Sequence, residues 1–169
     1  MSLTLSELNT LPAAEAERAL LQCCGARTWA REITAGRPYP DVEALLTVSD
    51  RVWWRLAPDD WLEAFAHHPR IGERVTTRVA SNDERWSEAE QARAQQGAAS
   101  VLGELASTNA QYEDRFGHVF LICATGKSAE EILANARSRL QNSPERELRV
   151  AAEEQRRITH LRVRKLLDT

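Results

Sequence analysis

At 169 residues the chain has the length of one domain, enough to bury about 70% of the surface its unfolded form exposes without a disulfide or metal staple. Hydrophobic residues at 43% and charged residues at 28% exclude a disordered chain and fit a soluble globular one. With 22 basic against 25 acidic residues the net charge is −3, too balanced for a nucleic-acid binder, so an anion site has to be built locally from a few arginines.

Helical signals dominate along the chain. Ser6-Glu7-Leu8 predicts a short capped turn. Pro12 stands as a first-turn proline ahead of Ala16, Ala19, Leu20 and Cys23 at helical spacing, with Gly25 as the C-terminal cap. A second helix is expected from Arg27 to Ala35, stopped by Gly36 and followed by the turn Arg37-Pro38-Tyr39-Pro40. Asp41 caps a third, with Val42, Leu45, Leu46, Val52 and Leu56 apolar. Pro58-Asp59-Asp60 opens a short fourth that carries Trp61, Leu62 and Phe65 and ends by Pro69. Residues 72–83 have no clear period. Ser87-Glu88-Ala89-Glu90 opens the longest helix, which runs to about Arg115. Ser128 opens another that ends near Asn142, and Pro144 starts the last.

Only Val119-Phe120-Leu121-Ile122-Cys123-Ala124 reads as extended, and one strand cannot make a sheet. The expected fold class is all-α: a compact single domain over residues 1–169, a bundle of about seven or eight helices with one short extended segment.

Cysteines number three, Cys23, Cys24 and Cys123, an odd count with two adjacent, which disfavours a disulfide framework and points to a reducing compartment. The N-terminal residues lack the basic and apolar regions of a signal peptide, and Leu167-Asp168-Thr169 is not a peroxisomal tripeptide. No stretch approaches the roughly 20 apolar residues of a membrane span. The expectation is a cytoplasmic protein with neither membrane nor nucleic acid as a partner.

Three features can carry chemistry. His67-His68 stands at the end of an amphipathic helix, where free carbonyls and the negative end of the helix dipole stabilise an imidazolium. A histidine there can exchange a proton near neutral pH, or it can simply cap the helix. Ser87-x-x-Glu90 has capping-box spacing, yet the free N–H groups of that helix start also suit an anionic or carbonyl-rich ligand. Glu90 or Gln91 could read a group that both donates and accepts hydrogen bonds. In the last helix, Arg156, Arg157, His160, Arg162 and Arg164 crowd together. Most are expected on a solvated face, while one arginine could turn inward to grip a carboxylate with its planar fork.

Other signals are weaker. Gly126-Lys127-Ser128 is not a phosphate loop, because the glycine required five residues earlier is Leu121; Ser128 and Glu131 instead suit a capping box. The five tryptophans, Trp29, Trp53, Trp54, Trp61 and Trp86, suit core or subunit-interface packing. No His-x-x-x-His or carboxylate cluster suggests a metal.

Taken as an ordered set, the Trp29 region, His68-Pro69, Ser87-x-x-Glu90-Gln91, Phe116-Gly117-x-x-Phe120-Leu121-Ile122-Cys123-Ala124 and the final Glu-, Arg- and Leu-rich helix resemble the OHCU decarboxylase family over nearly the whole chain. The substrate of that family is 2-oxo-4-hydroxy-4-carboxy-5-ureidoimidazoline. The resemblance implies an all-α, commonly dimeric, cofactor-free decarboxylase of urate breakdown that releases (S)-allantoin. It implies catalytic roles for His68, Glu90 and Arg162, the last with Arg164 as its neighbouring alternative. It implies substrate contacts from Pro69, Ser87, Gln91, Phe120, Leu121, Ile122, Cys123 and Ala124, with no metal. Two rivals stand beside it. One is a non-catalytic all-α module that binds a small anion. The other is a helical interaction protein using Trp53 and Trp54.

Overall fold

The computed structural model describes residues 3–71 and 88–167. Among them are eight α-helices and no strand: α1 (Leu5–Thr10), α2 (Ala13–Leu21), α3 (Arg27–Ala35), α4 (Val42–Arg55), α5 (Pro58–Ala66), α6 (Glu88–Phe116), α7 (Ala129–Arg139) and α8 (Pro144–Leu166). The all-α expectation holds, and residues 119–124 are neither helix nor strand. The chain divides into two compact units, Met1–His67 with Ala152–Thr169, and His68–Ala151.

In the first unit, side-chain caps start α1 and α4, and a proline starts α5. The cap of α1 is Thr4, two residues ahead of the expected turn. Its hydroxyl accepts from the Glu7 N–H at 3.2 Å, and the Glu7 carboxylate accepts from the Thr4 N–H at 2.7 Å. Asp41 caps α4 by accepting from the Ala44 N–H at 2.7 Å, and Pro58 occupies the first turn of α5, both as predicted. Three tryptophans form the heart of this unit, each with its indole N–H satisfied. Trp29 donates to Ser49 Oγ at 3.2 Å, Trp53 to the Ala152 carbonyl at 3.0 Å and Trp61 to the Trp53 carbonyl at 3.0 Å. Trp54 is exposed, with its ring edge against Trp61.

Gly25 is not the cap that its position suggests. The last turn of α2 closes at Gln22 in right-handed geometry, and Gly25 is buried beyond it. A β-carbon built there would stand 2.5 Å from His67 Cγ, so the residue is glycine because a histidine ring occupies that space.

In the second unit, α6 and α7 pack around Leu105, Tyr112, Phe120, Ile122, Ile132, Leu133 and Ala136. Ser128 and Glu131 complete the predicted capping box of α7. Gly117, at φ +75°, ends α6 with its N–H on the Glu113 carbonyl at 2.8 Å. That left-handed step admits glycine at little cost and turns the chain into the extended segment.

Candidate functional site

The two adjacent histidines have different duties. His67 is the C-terminal cap of α5, and its Nδ1 lies 2.9 Å from the Glu63 carbonyl one turn back. Its ring also fills the space over Gly25. The capping role open to either histidine therefore falls on His67. Glu63 itself meets the Arg27 N–H at 3.0 Å and the Arg27 side chain at 2.5 Å. Burial pushes the Glu63 carboxyl up, but these hydrogen bonds outweigh it and hold the group below the usual carboxylate value.

His68 follows outside the helix, half-buried. The chain just beyond it is tied to α6 at two points. Arg70 makes a two-pronged pair with Glu113, at 2.8 and 3.0 Å, and Asn109 Nδ2 donates to the Ile71 carbonyl at 2.8 Å. Asn109 and Glu113 lie one helical turn apart, and the sequence singles out neither; its available signal is an asparagine, a weak helix former, inside a long helix, and the structure buries it. These residues, with Leu102 and Ala106, line a cavity of about 370 Å³. Among the described residues, none of the expected site residues lines it.

Glu90 and Gln91 fall in the first turn of α6, and Ser87 lies outside the described residues, as does its capping box with Glu90. In the extended segment Phe120, Leu121 and Ile122 bury their side chains, Cys123 is half-buried and Ala124 is exposed. Core-facing side chains leave the backbone as the part of residues 120–122 that a ligand can meet. The Leu121 carbonyl is taken by Arg139 at 2.7 Å and the Ala124 carbonyl by the Lys127 N–H at 3.0 Å. No acceptor among the described residues meets the N–H of Ile122 or of Ala124.

The basic run of α8 differs from the solvated face expected of it. Arg156 bridges Asp50 and Glu153, at 3.0 and 2.8 Å, and His160 Nε2 lies 2.6 Å from Asp50. Arg157 pairs with Glu153 at 3.1 Å and Arg164 with Glu43 at 2.6 Å. Arg162, half-buried, makes no hydrogen bond or ion pair with the described residues.

Instead, its charge acts on two buried thiols. Burial pushes Cys23 up to about 12, and Arg162 opposes that shift. Burial likewise pushes Cys24 up to about 11, against hydrogen bonds from the Ala26 N–H and the Thr159 side chain and the charge of Arg162. Both thiols are thus neutral near pH 7 and leave the guanidinium charge uncompensated by them.

Over residues 9–164 the chain matches the family model for OHCU decarboxylase. It is 40% identical over 148 residues to the uric acid degradation bifunctional protein TTL of Arabidopsis thaliana, covering 86% of this chain and 45% of that protein. It is 36% identical over 101 residues to the 2-oxo-4-hydroxy-4-carboxy-5-ureidoimidazoline decarboxylase of Amia calva, covering 60% of this chain and 58% of that one. The chain thus spans about half the length of these two relatives. Among solved structures it is similar to an OHCU decarboxylase crystallised in the presence of (S)-allantoin, with a TM-score of 0.70, 33% identity and coverage of 88% of this chain and 96% of the other.

Proposed function

This chain belongs to the OHCU decarboxylase family, and we propose that it converts 2-oxo-4-hydroxy-4-carboxy-5-ureidoimidazoline to (S)-allantoin and CO2 in urate breakdown. The match over residues 9–164 is the observation that carries this reading. Among the described residues the guanidinium of Arg162 and the N–H groups of Ile122 and Ala124 meet no partner, which supports this reading, because an anionic, carbonyl-rich substrate needs such donors.

The chemistry needs little beyond side chains. The bond from the ring carbon to the carboxylate breaks, and CO2 departs. The electron pair left behind forms a carbon–carbon double bond as the neighbouring ring C=N takes up electrons and a proton at nitrogen. The hydroxyl-bearing carbon then becomes a carbonyl as its O–H proton leaves and a proton adds to the adjacent carbon. The substrate thus holds its own electron sink, and orientation, proton delivery and exclusion of water are left to the protein.

In this reading Arg162 grips the carboxylate and Pro69, Ser87, Gln91 and the backbone of Phe120–Ala124 contact the ring and ureido group. Glu90 orients the hydroxyl. His68 moves the proton, a role worth about 10²–10⁴-fold. Delivery to one face sets the S configuration. The enzyme acts as one domain over residues 1–169, without a cofactor, as a cytoplasmic homodimer. No helix among the described residues is long and apolar enough to cross a membrane.

The test is chiral, because the substrate also decays unaided. Urate oxidase and hydroxyisourate hydrolase generate it in situ, this protein is added, and circular dichroism follows the product. A fast single-handed allantoin signal is expected, abolished in a folded His68→Asn variant and largely kept in His67→Ala. A racemic product at the unaided rate from folded wild type would leave a small-anion-binding module in its place.

A further inference from the structure

Beneath the extended segment lies a buried ionic network that the mechanism above does not use. Glu147, fully buried in the first turn of α8, accepts from the Tyr112 hydroxyl at 2.5 Å and from Arg139 Nε at 2.7 Å through one carboxylate oxygen. Asn142 Nδ2 donates to the other oxygen at 2.8 Å. Burial, with the Glu147 carboxylate beside it, pushes the Tyr112 hydroxyl well above its usual value, so it stays a donor. The Arg139 guanidinium lies over the Phe120 ring, 4.7 Å from its centroid, and its remaining arm donates to the Leu121 carbonyl at 2.7 Å. All of these residues belong to the same compact unit.

Burying a charge pair is a poor way to gain stability, since apolar side chains of similar volume often do as well or better. What an apolar pair cannot do is hold a carbonyl in one direction. The peptide joining Leu121 to Ile122 is planar and trans, so its C=O and N–H point oppositely. Arg139 holds the carbonyl, and Glu147 and Tyr112 hold Arg139. The N–H of Ile122 is thereby aimed away from this network, and it is one of the groups without an acceptor among the described residues. A cation on the carbonyl also polarises the peptide and strengthens its N–H as a donor.

We propose that Arg139, Glu147 and Tyr112 form a positioning device that locks the Leu121–Ile122 peptide and presents the Ile122 N–H as a fixed hydrogen-bond donor to the substrate. The inference rests on the reading that residues 120–124 contact the substrate. It adds three residues to that reaction, each acting through the peptide plane and none touching the substrate.

The decisive variant is the double substitution Arg139→Met with Glu147→Gln, which removes both charges together and keeps an acceptor for Tyr112. Two readouts are taken on the folded protein: the carbonyl 13C shift of Leu121 with the amide shift of Ile122, and kcat and KM for the ureidoimidazoline. Both shifts are expected to move, and kcat/KM to fall by about 10²-fold, the scale of a misplacement of about 1 Å. Tyr112→Phe, which keeps the ring packing, should move the same shifts by less and lower kcat/KM less. Unchanged shifts in either folded variant would overturn the clamp, and moved shifts with wild-type kinetics would overturn the positioning role. If the double variant fails to fold, Tyr112→Phe decides alone by the same two criteria. Wild-type protein without turnover would instead sink the decarboxylase reading while the shifts still tested the clamp.

Discussion

At the scale of single residues, the identity of the anion-gripping arginine turns on which guanidinium is already engaged. Arg164 is held by Glu43 at 2.6 Å, an exposed pair, whereas Arg162 has no such partner among the described residues and its charge acts on two neutral thiols. An arginine gripping a carboxylate makes two parallel bonds that an ammonium cannot copy. Arg162→Lys should therefore raise KM about tenfold, the loss of one charge-assisted hydrogen bond of about 1.4 kcal/mol. Arg164→Lys should leave KM within about twofold, since exposed pairs contribute about 0–1 kcal/mol. Steady-state kinetics on the two variants decide, and the reverse pattern would move the role to Arg164. Sequence spacing left both open for a physical reason. Arg157 and Glu153, four residues apart, are legible as a pair, but Asp50, which Arg156 engages besides Glu153, and Glu43, which Arg164 engages, lie 106 and 121 residues away. The division of labour between His67 and His68 is hidden in part in the same way, because the Glu63 carbonyl that His67 meets is local but the room for its ring is left by Gly25, far back in the chain.

At the scale of elements, what was legible followed from local chemistry. The caps Asp41 and Ser128 and the prolines opening α5 and α8 rest on interactions within four residues, and the structure has them, like the span of α3, where the sequence predicts. Thr4-x-x-Glu7 carried an equally local signal that Ser6 obscured. Elsewhere tertiary contact outranks local rules. Trp53, for which core and interface packing both stand open in the sequence, is 2% exposed with its indole on the Ala152 carbonyl, so it is a core residue, and Trp54 is the exposed member of the pair. Gly25 is the sharper case, since a cap would tolerate a side chain that the His67 ring excludes. Gly25→Ala should cost about 1–3 kcal/mol through overpacking, which for a chain of this size lowers Tm by a few degrees. Adding His67→Ala should recover that loss, so that the double variant melts no lower than His67→Ala alone. Additive losses would mean that Gly25 answers to something other than the ring.

At the scale of the whole molecule, the buried titratable groups bound stability on both sides of neutrality. Burial holds His118 below its ordinary value of 6.5, partly opposed by the hydrogen bond to the Val119 carbonyl and the charge of Glu147. As pH falls below about 6.5 the unfolded chain takes this proton before the folded one, so stability drops. Glu153, hydrogen-bonded by Arg156 and held below 4.5, extends the same slope to lower pH. The alkaline side belongs to Cys23 and Cys24. Their folded thiols keep protons up to about 12 and 11, whereas unfolded thiols begin to lose them near 9, so stability drops as pH rises past 9. A plot of Tm against pH should therefore be flat from about 7 to 8.5 and fall on both sides. Cys23→Ala separates the causes, because deleting one buried sulfur costs about 1 kcal/mol at every pH while removing its own share of the alkaline slope. A variant that melts lower at pH 8 yet loses less between pH 9 and 10.5 than wild type identifies Cys23 as a carrier of that limb. Parallel curves would place the alkaline loss elsewhere, with Tyr112 the next buried group to examine, since its hydroxyl is also held protonated above its ordinary value of 10.0.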